Sequence, residues 1–234
     1  MPADWTRRRT LVTLAAAGLA ACVPDDDTGM EPDTGDGTEG GTDAGTDLDT
    51  GGVEDVCVDR TGAQTAGPFY PGEPQVRMDV RGGVDGVVIE LDLQVVEQGT
   101  CAPIQGAEVD LWGADADGDY SGYARFGTEG EDFMRGQQLT DADGIARFTA
   151  IVPGSYPGRA VHLHVKVRAE GVAELTTQVY LPDALVSEIL GDLRYSEGAE
   201  QTLNGDDGFY APDTLLVASG TVADGVVAEG VLVV

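Results

Sequence analysis

Histidine is scarce in this chain of 234 residues, which holds only His162 and His164. There are three cysteines, and 13 Lys and Arg stand against 42 Asp and Glu. Each shortage excludes something. A net charge of −29 leaves no clustered cations for nucleic-acid phosphates. A serine or cysteine hydrolase needs a nucleophile beside an imidazole free to act as its base. Here both imidazoles are locked two residues apart in one run, and the cysteines read as structural. The apolar stretch Leu11 to Ala21 has 11 residues, too few to cross a bilayer. No glycine loop of the phosphate- or dinucleotide-binding type occurs, no solenoid period appears, and nothing singles out a carboxylate pair for glycoside chemistry.

What is there begins with an export pattern. Arg7-Arg8-Arg9, the apolar stretch and Leu19-Ala20-Ala21-Cys22 follow one another in the order of a secretory signal. Cys22 resembles the lipidated cysteine of a bacterial lipobox. Thr6 to Val12 resembles a twin-arginine signal, with Thr10 where an aromatic is usual. Residues 1–21 are therefore expected to be the signal, and Cys22 a lipid anchor in the cell envelope that makes the only membrane contact. The competing reading is a retained, disordered N-terminus. Residues 22–55 hold 12 acidic side chains between Asp25 and Asp55, and no Lys or Arg occurs between Arg9 and Arg60. Such a stretch buries too little apolar surface to offset its ordering entropy and reads as a tether. Residues 56–234 remain as one domain, with 29 Asp and Glu against 10 Lys and Arg and ample length for a single core. In an exported protein Cys57 and Cys101 suggest one disulfide. The alternative is two buried thiols.

Alternating apolar and polar residues dominate the domain. Strands are expected over Gly86–Val96, Gly106–Trp112, Ile145–Ile151, Arg159–Val167, Leu175–Leu181, Leu215–Ser219 and Val226–Val234. Asp117-Gly118, Asp143-Gly144, Pro153-Gly154, Asn204-Gly205 and Asp224-Gly225 mark turns. Only Pro182 to Asp192 has a helical pattern. The fold class is all-β, a sandwich of mainly antiparallel strands with one short helix. Asp115 to Gln138, rich in Gly, Asp and aromatics, reads as a long functional loop.

In the run Val161-His162-Leu163-His164-Val165 the two imidazoles point to one face of a strand. Alone, the pair also fits two solvated histidines, or a copper or zinc site. Tyr120 and Tyr156 sit in Gly/Pro-bounded turns beside strand ends. Two phenolates, which are hard anionic donors, with two imidazoles favour iron(III) over zinc or copper.

The ordered motifs Gly67-Pro68-Phe69-Tyr70, CAPIQGAEVDLW, DGDYSGY, FMRGQQLTDADG, FTAIVPGSYPGRAVHLHVKV and LTTQVYLP resemble the intradiol ring-cleavage dioxygenases, the family of catechol 1,2-dioxygenase and protocatechuate 3,4-dioxygenase. The resemblance runs from about Cys57 to the C-terminus and is nearest to the family's short exported bacterial members. It implies one Fe(III) per domain, held by Tyr120, Tyr156, His162 and His164, with Tyr156 the ligand displaced when a catechol binds. It implies a catalytic Arg159 that stabilises negative charge on the bound diol, and Gln178 beside the substrate. The implied substrates are a catechol-type aromatic and O2, and the product a cis,cis-muconate-type diacid. Gly113 and Ser155 stand where exported relatives often carry His and Trp, positions that line or support the pocket. Tyr70, Tyr123 and Tyr180 read as packing or rim residues, Trp112 as core, and Arg135 as a partner of loop carbonyls. The domain lacks the long helical N-terminal region of the catechol dioxygenases, and its oligomeric state is open. A rival reading, an inactive envelope binding module on the same sandwich, predicts that ligand positions are lost, and none is.

Overall fold

The computed structural model describes residues 57, 59–70, 72, 74–196 and 201–234. The chain divides into two units, Met1–Leu48 and Asp49–Val234. The expected export signal, Cys22 and the acidic tether lie outside the described residues. Among those residues no helix is long and apolar enough to cross a membrane.

Eight strands and one α-helix follow in the order β1 (Val88–Val96), β2 (Glu108–Trp112), β3 (Arg135–Leu139), β4 (Ile145–Ile151), β5 (His162–Arg168), β6 (Leu175–Tyr180), α1 (Asp183–Leu190), β7 (Val217–Thr221) and β8 (Gly225–Val233). They form two four-stranded sheets, ordered β4-β1-β8-β7 and β3-β2-β5-β6. Every pairing is antiparallel except β1 with β8. The two sheets sandwich a core in which Ile89, Leu91, Leu93 and Phe148 belong to one sheet and Val109, Leu111, Leu163 and Val165 to the other. Period-two alternation along each strand produces this sorting. Full burial of each such side chain contributes about 1.5–3 kcal/mol.

The second sheet positions the site. In β5, Leu163, Val165 and Val167 face the core, so His162, His164 and Lys166 face the other way. The register puts Trp112 and Gln178 beside His164, Tyr180 beside His162, and Asp110 beside Lys166. An outer face of a sandwich is commonly wet. This one is covered by the segment 59–70, the loop after β2 and the segment 201–215, and both histidines are 3% exposed.

Two sequence expectations change by more than two residues. The long loop from Asp115 ends at Met134, because Arg135–Leu139 pairs with β2 along its whole length. Arg-Gly-Gln-Gln-Leu has no apolar alternation to announce a strand. Its outward side chains are polar and bond sideways: Gln137 to Asp110 at 2.9 Å, and Arg135 to Ser121 Oγ at 2.6 Å and to the Ser121 carbonyl. Gly136 is required between them, since a Cβ would stand 2.5 Å from Val80 Cγ1. The second change is that β5 starts at His162, because a bridge between Tyr156 and Arg159 closes a turn ahead of it. Cys57 and Cys101 are joined, with Cα atoms 5.4 Å apart across 44 residues.

Candidate metal centre

Four donor atoms meet over the outer face of the second sheet. Tyr120 Oη lies 3.3 Å from Tyr156 Oη, Tyr156 Oη 3.0 Å from His162 Nε2, and His162 Nε2 3.2 Å from His164 Nε2. Strand β5 supplies the imidazoles. The phenols come from two turns stitched to each other. Asp115 Oδ1 accepts the amides of Asp117 and Asp119 at 3.0 and 2.9 Å, an Asx-type turn that delivers Tyr120. The Gly154 amide donates to the Asp115 carbonyl at 2.7 Å and sets the Tyr156 turn against it. Thr128 Oγ1 donates to the Tyr120 carbonyl at 2.7 Å, and Phe69 stacks on the Tyr120 ring with centroids 4.5 Å apart.

The imidazoles are oriented from behind. His162 Nδ1 donates to the Ala160 carbonyl at 2.6 Å, which leaves a bare lone pair on Nε2. His164 lies flat on Trp112, with centroids 4.9 Å apart and ring planes 6° from parallel. Tyr70 packs against Trp112 at 4.8 Å and donates to buried Asp110 at 2.7 Å. Trp112 is thus a buttress for His164 rather than only core. His164 Nδ1 has no hydrogen bond of normal geometry, and its electrostatic neighbour is the Thr65 carbonyl.

Burial, helped by the Arg159 charge, lowers His162 to about 4. Burial, then the neighbouring His162, holds His164 well below 6.5. Both rings are therefore neutral at neutral pH, the protonation state a ligand needs. Burial also pushes both phenols up, Tyr120 well above 10. The phenols keep their protons unless a strongly charged cation draws them off.

A pH dependence follows. Above 6.5 neither the folded nor the unfolded chain protonates these rings. Below it only the unfolded chain does, so stability is lost as pH falls toward about 4. Each imidazole contributes at most about 1.4 kcal/mol per pH unit. The melting temperature of the metal-free protein is expected to drop from pH 7 to pH 5. A His162→Gln, His164→Gln double variant should flatten that slope. An equal slope in both proteins would mean that the folded state admits the protons.

The donor set fits a metal. Three successive donor contacts of 3.3, 3.0 and 3.2 Å put the four atoms close enough to share one cation, and two phenols with two imidazoles are a donor set that would suit a hard, trivalent one. Among the described residues no group of three or more His, Cys, Asp or Glu is placed to hold a metal, so a metal here depends on the phenols.

Beside the donors, Arg159 stacks its guanidinium over Phe209 at 4.7 Å. Its Nη2 donates to Gln178 Oε1 and approaches Tyr180 Oη at 3.4 Å, and its Nε reaches Asp207 at 3.0 and 3.2 Å. All six residues expected at the site, Tyr120, Tyr156, Arg159, His162, His164 and Gln178, are brought together. Asp207 was not singled out by the sequence, because one more acid in an Asp-Gly-rich turn carries no signal. Gly113 faces the core rather than the donors, since a Cβ there would stand 2.7 Å from core Leu163. Ser155 is buried beside Tyr156. Tyr123 lies under Arg135, with its hydroxyl 3.5 Å from the Tyr70 carbonyl.

The family model described as Dioxygenase matches residues 72–206. A chlorocatechol 1,2-dioxygenase of Pseudomonas sp. strain P51 is 37% identical over 98 residues, which is 34% of this chain and 38% of that protein. The chain thus spans well under half the length of that curated relative. The dioxygenase domain of a dioxygenase carbohydrate-binding protein fusion from Streptomyces sp. SirexAA-E superposes with a TM-score of 0.59 at 30% identity, covering 75% of this chain and 98% of that one. An intradiol ring-cleavage dioxygenase from Tetranychus urticae shares the fold, with a TM-score of 0.69 at 24% identity over 75% of this chain and 94% of that one.

Proposed function

The chain belongs to the intradiol ring-cleavage dioxygenase family, and from that premise we propose that it is a non-haem iron(III) dioxygenase. It opens the ring of a catechol-type substrate between the two hydroxylated carbons with O2, giving a cis,cis-muconate-type diacid. The observation that supports this most is the contact of two phenols and two imidazoles, each within 3.3 Å of the next.

In this reading Tyr120, Tyr156, His162 and His164 hold one iron per domain. Bound there, iron(III) supplies the Lewis acidity that makes a diol reactive toward O2. The chain's own residues do the rest. The β5 backbone fixes the imidazoles as a rigid pair. Tyr120, 2% exposed, is the phenol held on all sides. Tyr156 is less buried and sits on the turn from Pro153 to Arg159, so it would be the donor better able to give way to a substrate, its hydroxyl then holding the proton. Arg159, charged at any working pH, faces negative charge on the diol, and Gln178 holds the guanidinium from one side. Packed aromatic rings of Phe69, Trp112 and Tyr180 keep bulk water from the donors. The proposed enzyme works in the cell envelope, anchored through Cys22, on the pattern of residues 1–22 alone.

The decisive experiment is iron(III) titration of the purified metal-free protein. Visible absorption should grow and saturate at one iron per chain. The loaded protein should then consume O2 with catechol, or with the chlorinated and hydroxylated catechols after which its relatives are named. A protein that binds iron yet stays colourless, or leaves every diol and protocatechuate intact, refutes the proposal.

A further inference from the structure

One carboxylate outside the donor set organises both the arginine and one of the imidazoles. We propose that Asp207 is a positioning residue of this site, acting through Arg159 and through Ala160. The inference deepens the proposed function and, for its kinetic part, rests on it. Asp207 lies one residue beyond the segment matched by the family model, and 48 residues from Arg159 along the chain.

The Asp207 carboxylate is fully buried, while Arg159 keeps 18% of its side chain exposed. Oδ1 accepts from Arg159 Nε at 3.2 Å and from the Phe209 amide at 2.9 Å. Oδ2 accepts from Arg159 Nε at 3.0 Å and from the Ala160 amide at 2.9 Å. A buried carboxylate is tolerated when its charge is paired and its lone pairs are used, and here both conditions hold.

These bonds have two consequences at the site. The first concerns Arg159. Its Nε is taken by Asp207, one face by the Phe209 ring, and Nη2 by Gln178. The Phe209 ring is in place because its own amide is tied to Asp207. The direction of the guanidinium is thus set before any substrate arrives. The second concerns His162. Ala160 gives its N–H to Asp207 and receives His162 Nδ1–H on its carbonyl. Asp207 therefore fixes the residue that chooses the imidazole's tautomer and aims Nε2 at Tyr156. Asparagine has nearly the same shape, but its NH2 group would stand where one carboxylate oxygen now accepts from Arg159 Nε and from a backbone amide, Phe209 on one side or Ala160 on the other. Donor would face donor in two of the four bonds, and the charge would be lost.

The test compares Asp207→Asn with the wild-type protein in two ways. In the iron-loaded protein, kcat is expected to fall roughly tenfold or more, as displaced catalytic groups require, while KM changes less than threefold. In the metal-free protein, the hydrogen-bonded Nδ1–H resonance of His162 is expected to shift strongly or vanish from the nitrogen-proton NMR spectrum. A kcat within twofold of wild type, a loss confined to KM, or an unmoved His162 resonance overturns the proposal. Should the variant not fold, the wild type decides alone. The Ala160 and Phe209 amides should be protected from hydrogen exchange, and exchange at the rate of an open chain overturns the clamp. Because the NMR and exchange readouts need no iron, they remain decisive if the protein cleaves no catechol. That outcome would refute the proposed function, not the clamp.

Discussion

Tyr120→Phe is expected to leave an intact protein that shows no visible absorption with iron and no measurable ring cleavage. The reasoning is local. The Tyr120 ring is buried, stacked on Phe69 at 4.5 Å and in edge contact with Tyr156. Phenylalanine preserves both contacts and the volume. The backbone is held independently by Thr128. Only the hydroxyl and its 3.3 Å contact with Tyr156 Oη are lost, so the melting temperature of the metal-free protein should change by no more than a net hydrogen bond, about 1 kcal/mol. Function should suffer far more. Removing a partner that merely orients a metal ligand costs about 10–100-fold, and removing the best-held ligand must exceed that. Tyr156→Phe is the informative contrast. It should retain colour through Tyr120, release iron faster to a chelator and turn over more slowly. Absorption spectra of both variants at matched iron occupancy read the difference. A Tyr120→Phe protein that keeps its colour would place the phenolate elsewhere.

Gly154→Ala is expected to abolish iron binding by a different route. A Cβ at Gly154 would stand 2.2 Å from the Ala116 carbonyl oxygen, 2.5 Å from its carbon and 2.9 Å from the Gly118 nitrogen. All three are backbone atoms of the turn that delivers Tyr120, so no side-chain rotation relieves the clash. One turn must move away from the other. The 2.7 Å bond from Gly154 to Asp115 lies at the same contact and would break. Overpacking of this kind costs about 1–3 kcal/mol, and the separation of Tyr120 from Tyr156 would dismantle the donor set. Gly158→Ala serves as a comparison. There φ is +79° but nothing lies within 4 Å of the added carbon, so only about 1–2 kcal/mol of backbone strain is expected. Thermal melting with iron titration separates the two. Wild-type iron uptake by Gly154→Ala would show that the turns are not packed as described.

Much of this architecture is legible in order along the chain. Seven of the eight strands are announced by their apolar residues and the turns between them, mostly through the period of two that burial on one face imposes, although β7 is exposed along nearly its whole length. Strand β3 is not, because its outward side chains serve hydrogen bonds to Ser121 and Asp110, and its inward Gly136 yields to Val80. The helix is legible from Val186 and Ile189, which are its buried residues. Turn chemistry located the tyrosines. It could not show that the Asx turn at Asp115 and the Gly154 turn touch, since both are ordinary turns in isolation.

The sequence by itself determined that His162 and His164 share a face and that Tyr120 and Tyr156 stand in turns beside strand ends. Both are local properties, since strand geometry and turn chemistry act over a few neighbouring residues. Only the tertiary structure decided that this face is covered, although a polar strand face is more often wet. Only it brought Tyr120 and Tyr156, 36 residues apart, to 3.3 Å, and recruited Asp207 from the far end of the domain. Burial of a polar face is a property of the segments that pack over it. Those segments leave no period in the strand they cover.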